Sequence, residues 1–256
     1  MWVVKTKIGD LEVNYSVYGK GEVLVLLHGW GVDSTVWQSI LPELARKVRV
    51  VTIDLPGFGQ SQAPKSDWNL EHYARIVTAL FAKLNFSKIN LLGHSFGGRV
   101  AIKIASSNNH QSLERLILVD SAGIKKYKMA GQNLAYLLAK GGGMLFNLKL
   151  LKILAPIARK ILYNLVGEHD YERAGNLKNT FVNIISEDLR ADLARVDSKT
   201  LIIWGEDDYV TPIADAYLTS ELIKNSKLKI LPGCGHFPFV DRPVDFVKVV
   251  ADFVKK

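Results

Sequence analysis

The sequence lacks the features of a disulfide-bonded, secreted or membrane-spanning protein. It contains one cysteine, Cys234, so no disulfide bond can form within the chain. No uncharged apolar run reaches about 18 residues, the length that a membrane-spanning helix needs. The apolar run before Lys5 is too short for the core of a secretory signal peptide. We therefore expect a cytoplasmic protein without stable membrane insertion.

Acidic residues are absent from one long segment. Residues 122–167 contain no Asp or Glu but hold eight of the 33 basic residues, so the rest of the chain is balanced at 25 basic and 25 acidic. The basic residues of the segment are Lys125, Lys126, Lys128, Lys140, Lys149, Lys152, Arg159 and Lys160. They alternate with Leu and Ile rather than with exposed aromatic residues and Arg, so we expect no nucleic-acid partner. The segment is interpreted as a solvated basic face.

Strand and helix patterns alternate along most of the chain. Short apolar runs bounded by Gly, Pro or Asp are typical of buried parallel strands. They are Val23–Leu27, Val48–Ile53, Lys88–Leu92, Arg115–Val119, Thr200–Trp204 and Lys227–Leu231. Helical spacing of apolar residues predicts helices at Leu70–Leu84, Phe96–Ala105 and Pro243–Val254. An opening hairpin is predicted for Trp2–Ile8 and Leu11–Tyr18. The pattern predicts the α/β class, with a mostly parallel eight-stranded sheet and helices on both faces.

The alternation is interrupted by residues 122–198, which are rich in Leu, Lys and Ala and show no strand pattern. We interpret this segment as a helical lid inserted into an α/β core of residues 1–121 and 199–256. Its apolar stretch Met144–Val166 is expected to cover an apolar acyl pocket, with Gly141–Gly143 as a flexible joint. Docking of this lysine-rich segment on anionic lipid stays open as an alternative.

The stretch Gly93–Gly97 (Gly-His-Ser-Phe-Gly) has the pattern of a nucleophile elbow. It follows a predicted strand and opens a predicted helix. Such a sharp turn lifts the serine above the sheet edge, and the positions two before and two after it come too close to other backbone for side chains. Ser95 is therefore the predicted nucleophile; its alternative role is a helix N-cap.

The stretch His28–Gly31 (His-Gly-Trp-Gly) follows the strand that ends at Leu27. Backbone amides of a glycine-rich turn can stabilise a developing oxyanion. We predict that the Trp30 N–H and the Phe96 N–H form the oxyanion hole. His28 is expected to brace the turn rather than to carry protons.

A histidine in the loop after the last predicted strand, His236, is in position to reach a serine at the sheet edge. Imidazole exchanges protons near neutral pH and suits the role of general base and then general acid. Three aspartates follow strands and satisfy the chain order of serine, acid and histidine: Asp120, Asp207 and Asp208. The residue pattern alone leaves all three open.

Five motifs together resemble the α/β-hydrolase fold superfamily, in its serine esterase-like branch. They are Leu27–Gly31, Asp54–Ser61, Gly93–Gly98, Trp204–Asp208 with Pro212, and Gly233–Pro238. The resemblance implies that the acid lies three residues after Gly205, which gives Asp208 and a Ser95–Asp208–His236 triad. It also implies a structural role for Asp54 and its glycine turn beside the site. Cys234 is interpreted as a packing residue.

These residues predict acyl transfer through an acyl-enzyme, without metal or cofactor. The expected substrate is a small-molecule carboxylic ester with a small to medium apolar acyl group; no oligomeric state is predicted. One alternative is a carbon–carbon bond hydrolase of the meta-cleavage type, although relatives of that kind tend to have His-Gly-x-Gly-Pro-Gly where this chain has His28–Asp33 (His-Gly-Trp-Gly-Val-Asp). Thioester, lactone or amide hydrolysis stays open. A small-molecule receptor with little turnover is the alternative outside enzymes.

Overall fold

The structure, a computed structural model, describes residues 2–107, 113–125 and 174–255. Most of the predicted lid, including Gly141–Gly143 and Met144–Val166, lies outside the described residues. The described parts of the predicted insertion are its first residues and the segment from residue 174 to residue 198.

The described strands form one sheet, and its order in space is β1-β2-β4-β3-β5-β6-β7-β8. The strands are β1 Trp2–Ile8, β2 Leu11–Tyr18, β3 Val23–Leu27, β4 Arg49–Ile53, β5 Ile89–His94, β6 Leu113–Val119, β7 Lys199–Gly205 and β8 Ser226–Leu231. Strand β2 is antiparallel to β1 and β4, and every other neighbouring pair is parallel. The predicted eight-stranded, mostly parallel sheet is confirmed.

Strand β5 continues two residues beyond the run predicted from its apolar residues. The predicted run ends at Leu92, but the parallel ladder with β6 pairs Gly93 with Leu118 and His94 with Val119. Neighbouring strand backbone therefore keeps these two residues extended despite their composition. The strand consequently ends directly before Ser95.

Helices connect the strands at the predicted places. The described α-helices are α1 Leu41–Ala45, α2 Leu70–Lys83, α3 Phe96–Ala105, α4 Lys178–Ser186, α5 Arg190–Leu193, α6 Ile213–Leu222, α7 Pro238–Asp241 and α8 Pro243–Val254. Helix α2 begins after Asn69, whose side chain accepts a hydrogen bond from the His72 N–H in a capping box. None of the helices that the structure describes is long and apolar enough to cross a bilayer.

Alternate residues of the central strands enter two separate hydrophobic cores. In β3, Val25 and Leu27 pack in the core that also contains residues of α2 and α3. Leu24 and Leu26 pack in the core of the opposite face, with α1 and α8. All four side chains are fully buried. The helices thus cover both faces of the sheet, as the apolar strand sequences predict.

The end of the predicted insertion packs directly on the core. Leu189, Leu193 and Val196 are buried in the same cluster as α2 and α3. On the same side, the Asp192 carboxylate accepts hydrogen bonds from three side chains at 2.7 to 3.3 Å: Lys103, Ser106 and Arg195. Asp192 is 6% exposed, so this polar cluster fastens α5 to the outer face of α3 in a partly water-excluded setting.

The Asp192→Ala variant should be less stable by roughly 1–3 kcal/mol, because the partly buried Lys103 and Ser106 donors lose a charged acceptor. The measurement is the urea unfolding midpoint at an unchanged m-value. Asp245→Ala is the matched control, since Asp245 pairs with Arg242 on a half-exposed surface and should change stability by less than about 0.5 kcal/mol. Equal midpoints for the two variants would contradict the anchoring role of Asp192.

Candidate active site

Ser95 occupies a strained turn between β5 and α3. Its φ of 52° and ψ of −112° lie outside the regions that residues with side chains favour. Backbone hydrogen bonds hold it there: its N–H donates to the Val119 carbonyl at 3.1 Å, and its carbonyl accepts from Gly98 and Ala122. The sequence prediction of a sharp strand-to-helix turn at Ser95 agrees with this geometry.

The two glycines that flank Ser95 are required by close backbone contacts. A Cβ atom on Gly93 would lie 2.4 Å from the Gly97 carbonyl oxygen, and one on Gly97 would lie 2.3 Å from the Leu27 carbonyl oxygen. Both distances are far inside van der Waals contact. Glycine at position 93 lets β5 pack on the start of α3, and glycine at position 97 lets α3 pack on the end of β3. Both contacts agree with the close backbone approach expected of the motif.

The turn after β3 lies against Ser95. A Cβ atom on Gly29 would be 3.4 Å from the Ser95 Cβ atom, so the Gly29 backbone passes directly beside the serine. The rings of Trp30 and Phe96 are in contact, with centroids 5.3 Å apart. Within the part of the chain that the structure describes, neither the Trp30 N–H nor the Phe96 N–H donates a hydrogen bond. Both predicted oxyanion donors are therefore unpaired near Ser95.

His28 braces this turn. Its Nδ1–H donates to the Gly29 carbonyl at 2.7 Å, and its Nε2 accepts from the Leu55 N–H at 2.9 Å. The ring is fully buried, and burial lowers the pKa of His28, which favours the neutral form that these two bonds require. The expected structural role of His28 agrees with these contacts.

Asp54 joins three segments beneath the turn. Its carboxylate accepts hydrogen bonds of 2.9 Å from the Asn14 side chain and from the Ser34 and Gln60 amides. Burial opposes its ionisation, but the bonds from Gln60, Ser34 and Asn14 outweigh that cost and lower the pKa of Asp54. Asp54 also fills the space beside Gly59, where a Cβ atom would collide with the carboxylate.

Asp208 and His236 are brought together by the ends of β7 and β8. The Asp208 Oδ2 atom lies 2.8 Å from His236 Nδ1. The Asp208 Oδ1 atom accepts from the Val210 and Thr211 amides at 2.7 and 3.1 Å. Burial works against ionisation of Asp208, yet the bonds from His236 and Thr211 prevail and lower its pKa. The carboxylate is thus charged, oriented and 5% exposed.

The other two aspartates that the residue pattern left open do not contact His236. Asp207 is exposed, and its amide donates to the Cys234 carbonyl. Asp120 is fully buried, and its Oδ1 accepts from the Gly205 N–H at 2.8 Å. The geometry therefore favours Asp208 as the partner of the histidine.

Thr211 is a site residue that the sequence analysis missed. Its hydroxyl lies 2.5 Å from Asp208 Oδ2 and 3.5 Å from His236 Nδ1. The available signal was a threonine three residues after an aspartate, a spacing at which side chain and backbone form a local turn. Here that turn orients the carboxylate toward His236.

His94, which precedes the predicted nucleophile, also received no role from the sequence. Its ring lies 4.8 Å from the His236 ring, and its Nε2 is 2.7 Å from the His236 carbonyl oxygen. Because a carbonyl only accepts, His94 Nε2 must carry the proton. Burial holds the pKa of His94 well below its ordinary value, so the neutral ring positions the His236 loop without adding charge.

No direct hydrogen bond joins Ser95 Oγ and His236 in the described residues, where the side-chain bonds of His236 run to Asp208 and Thr211. Nucleophile–base hydrogen bonds often form only when substrate is bound. The two residues nevertheless share a neighbour, since His94 adjoins Ser95 in the chain and contacts the His236 loop.

An aromatic cluster borders the turn after β3. The Trp30 ring contacts the rings of Phe58, Phe96 and Phe181 at centroid distances of 4.9, 5.3 and 5.0 Å. Phe181 belongs to α4, within the predicted lid segment, while Phe96 follows Ser95. The packing beside the predicted oxyanion donors is therefore apolar.

Among residues 2–107, 113–125 and 174–255, no three His, Cys, Asp or Glu side chains are grouped so that they could hold a metal ion. Cys234 is buried and forms no disulfide bond. Its environment raises the pKa of the thiol, chiefly through burial, which disfavours a nucleophilic thiolate.

Sequence comparisons relate the chain to hydrolases. It is 31% identical over 264 residues to an uncharacterised protein of Mycobacterium tuberculosis, covering 94% of this chain and 77% of that one. It is 30% identical to the pimeloyl-[acyl-carrier protein] methyl ester esterase of Aeromonas hydrophila, covering 95% and 100%. It is 26% identical to a 2-hydroxy-6-oxo-6-(2'-aminophenyl)hexa-2,4-dienoic acid hydrolase of Metapseudomonas resinovorans, covering 97% and 89%.

Comparison with solved structures also relates the chain to hydrolases. A serine hydrolase involved in carbazole degradation matches with a TM-score of 0.74 at 26% identity, covering 99% of both chains. A membrane phospholipase A matches in fold, with a TM-score of 0.78 at 24% identity, covering 99% of this chain and 86% of that one. The family model described as the alpha/beta hydrolase family matches residues 24–249. The chain thus belongs to the alpha/beta hydrolase family and is a hydrolase of the α/β fold.

Proposed function

We propose that the protein hydrolyses carboxylic esters of small to medium apolar acyl groups, with Ser95 as nucleophile, His236 as base and Asp208 as orienting acid. The observation that carries this proposal is the 2.8 Å contact between the buried Asp208 carboxylate and His236 Nδ1, at the same sheet edge as the strained Ser95 turn. Orientation of a histidine by a buried carboxylate, beside a serine that substrate can reach, is the arrangement that nucleophilic acyl transfer needs.

The contact with Asp208 determines which nitrogen of His236 acts as base. A carboxylate only accepts hydrogen bonds, so His236 Nδ1 carries the proton and Nε2 keeps its lone pair. Nε2 can then take the Ser95 hydroxyl proton. Since the Asp208 pKa is lowered, the carboxylate also stabilises the imidazolium that forms.

Acylation follows from these positions. Ser95 Oγ attacks the ester carbonyl carbon as its proton moves to His236 Nε2, and the negative charge develops on the carbonyl oxygen. The unpaired Trp30 and Phe96 amides stabilise that oxyanion. Collapse of the tetrahedral intermediate releases the alcohol, which takes the proton from His236. Water then attacks the acyl-enzyme by the same proton transfers and frees the acid and Ser95.

The aromatic cluster supports an apolar acyl group. The half-buried rings of Trp30 and Phe58, backed by the buried rings of Phe96 and Phe181, place apolar side chains beside the predicted oxyanion donors. Since Phe181 lies in the segment predicted as a lid, the lid is proposed to complete this pocket. Similarity to a methyl ester esterase of Aeromonas hydrophila is in keeping with ester hydrolysis.

A carbon–carbon bond hydrolase is the second candidate. It is favoured by the similarity to the 2-hydroxy-6-oxo-6-(2'-aminophenyl)hexa-2,4-dienoic acid hydrolase over 97% of this chain. The turn His28–Asp33, which has Val-Asp where those enzymes tend to have Pro-Gly, favours the esterase instead.

A substrate panel distinguishes the two candidates. We expect multiple turnover of p-nitrophenyl esters from acetate upward, with the highest kcat/KM at short to medium chains and a decline toward palmitate. Vinylogous diketones of the meta-cleavage type should be poor substrates in the same assay. A higher kcat/KM for the diketones would favour the carbon–carbon hydrolase, and no turnover on either set would contradict the proposed activity.

Replacement of Ser95 by alanine should lower esterase kcat by roughly 10³-fold or more, because no other group can form the acyl-enzyme. The unfolding midpoint should change little, since alanine keeps the Cβ atom and the Ser95 hydroxyl makes no hydrogen bond among the described residues. A fluorophosphonate probe should label the parent chain at Ser95 and leave the Ser95→Ala variant unlabelled. Labelling of that variant would show that another residue is the nucleophile.

Asp208→Asn should lower kcat by roughly 10³- to 10⁴-fold, because an amide at this position favours the wrong tautomer of His236. Asp207→Asn is the matched control: it removes the same charge from the adjacent, exposed position and should change kcat little. Steady-state kinetics on one p-nitrophenyl ester measures both. Comparable losses in the two variants would exclude the assignment of Asp208.

A further inference from the structure

A second carboxyl group, that of Asp120, lies behind Asp208 and has no part in the steps above. Asp120 directly follows the strand β6, next to the end of β7, and is fully buried. Its φ of 40° is in the left-handed region, which asparagine and aspartate tolerate better than other residues with side chains. The backbone conformation thus directs a carboxyl group into the interior at the sheet edge that carries the site.

Asp120 is held in place by three hydrogen bonds. Its N–H donates to the Ile203 carbonyl at 3.0 Å, and its Oδ1 accepts from the Gly205 N–H at 2.8 Å. Its carbonyl oxygen lies 3.2 Å from the Thr211 hydroxyl. These contacts tie Asp120 to the strand and the turn that position Asp208.

The second carboxyl oxygen of Asp120, Oδ2, is buried without any hydrogen-bond donor among the described residues. A charged oxygen in this state would be very unfavourable. A protonated oxygen, in contrast, is a donor and can form a hydrogen bond to a nearby acceptor. The Thr211 hydroxyl links this residue to the Asp208 carboxylate, since it lies 3.2 Å from the Asp120 carbonyl oxygen and 2.5 Å from Asp208 Oδ2. That carboxylate is the acceptor that the arrangement offers.

The charged and titratable groups around Asp120 do not compensate a negative charge there. Asp208 and Asp241 are carboxylates, and the Cys234 thiol is uncharged when protonated. His236 is already paired with Asp208. Burial, first of all, and then the neighbouring Asp208 and Asp241 raise the pKa of Asp120 to about 9, against the lowering effect of the Gly205 N–H.

We propose that Asp120 is a positioning residue whose Oδ2–H donates a hydrogen bond to the Asp208 carboxylate, so that the two carboxyl groups share one proton and one negative charge. The inference rests on the proposed role of Asp208 in orienting His236. The Thr211 hydroxyl has two acceptors, Asp208 Oδ2 at 2.5 Å and the Asp120 carbonyl at 3.2 Å, and completes the link between the two residues.

This pair makes the site sensitive to alkaline pH. Loss of the Asp120 proton places a second negative charge beside Asp208, and no cationic side chain among the described residues contacts Asp120 to balance it. Repulsion then works against the position in which Asp208 orients His236. Catalytic activity should consequently decline as Asp120 ionises, near pH 9.

The Asp120→Asn variant tests the proposal because an amide imitates the protonated acid. Its oxygen can accept from the Gly205 N–H, its nitrogen can donate to Asp208, and asparagine tolerates the left-handed backbone. We expect kcat within about twofold of the parent chain at neutral pH and no decline near pH 9. Asp120→Ala removes both bonds and should lower kcat by roughly tenfold. An asparagine variant as impaired as the alanine variant would overturn the proposal.

A second measurement does not depend on activity. The folded chain holds a proton on Asp120 that the unfolded chain, with an ordinary pKa of 3.8, releases. The contribution of Asp120 to stability is therefore present below about pH 4 and is lost progressively as pH rises through about 9. The Tm of Asp120→Asn should exceed that of the parent chain by a margin that widens from about pH 6 to about pH 9, whereas Asp207→Asn should show no such trend.

The two measurements separate the inference from the proposed function. Parallel Tm curves for the parent chain and the Asp120→Asn variant would show that Asp120 is ionised at neutral pH, and would overturn the inference alone. Unchanged activity in Ser95→Ala and Asp208→Asn would instead contradict the proposed function. Asp120 would then still be protonated but would have no triad to position.

Discussion

The backbone at Ser95 has a conformation that costs of order 1–3 kcal/mol for a residue with a side chain, and the rest of the site is arranged around it. The strain persists because β5, β6 and α3 surround the turn and hold it with backbone hydrogen bonds to Val119, Gly98 and Ala122. Gly93 permits the close packing of β5 on the start of α3, and Gly97 permits the close contact with the end of β3. That contact brings Gly29, and with it the Trp30 amide, beside Ser95.

The loops after β7 and β8 supply Asp208 and His236. One set of hydrogen bonds orients these two side chains, and a second set holds the loops of the site. Asp208 is oriented by the Val210 and Thr211 amides, and it orients His236 in turn. Around this pair, the neutral rings of His28 and His94 and the carboxyl of Asp54 hold the adjoining loops. Such supporting residues give a site its precision because each polar side chain that contacts the reacting groups has few alternative partners.

The fold was predictable from local patterns. The hairpin Trp2–Tyr18 and the helices α3 and α8 have the predicted bounds, because alternation of apolar residues and helical spacing act over a few neighbouring residues. Strand β5 extended beyond its apolar run because pairing with β6, a contact between distant parts of the chain, includes Gly93 and His94. The packing of Leu189, Leu193 and Val196 into the main core likewise depends on distant contacts.

The order of residues along the chain was enough to predict the family-like motifs, the strained serine turn and the succession of serine, acid and histidine. Taken alone, that succession left Asp120, Asp207 and Asp208 open as acids, since all three follow strands, and the family resemblance pointed to Asp208. The directions of the three side chains are visible only in the fold: Asp208 contacts His236, Asp207 faces solvent, and Asp120 is buried beneath them. The direction of a side chain at the end of a strand depends on local φ and on packing from neighbouring strands, and no residue pattern records that.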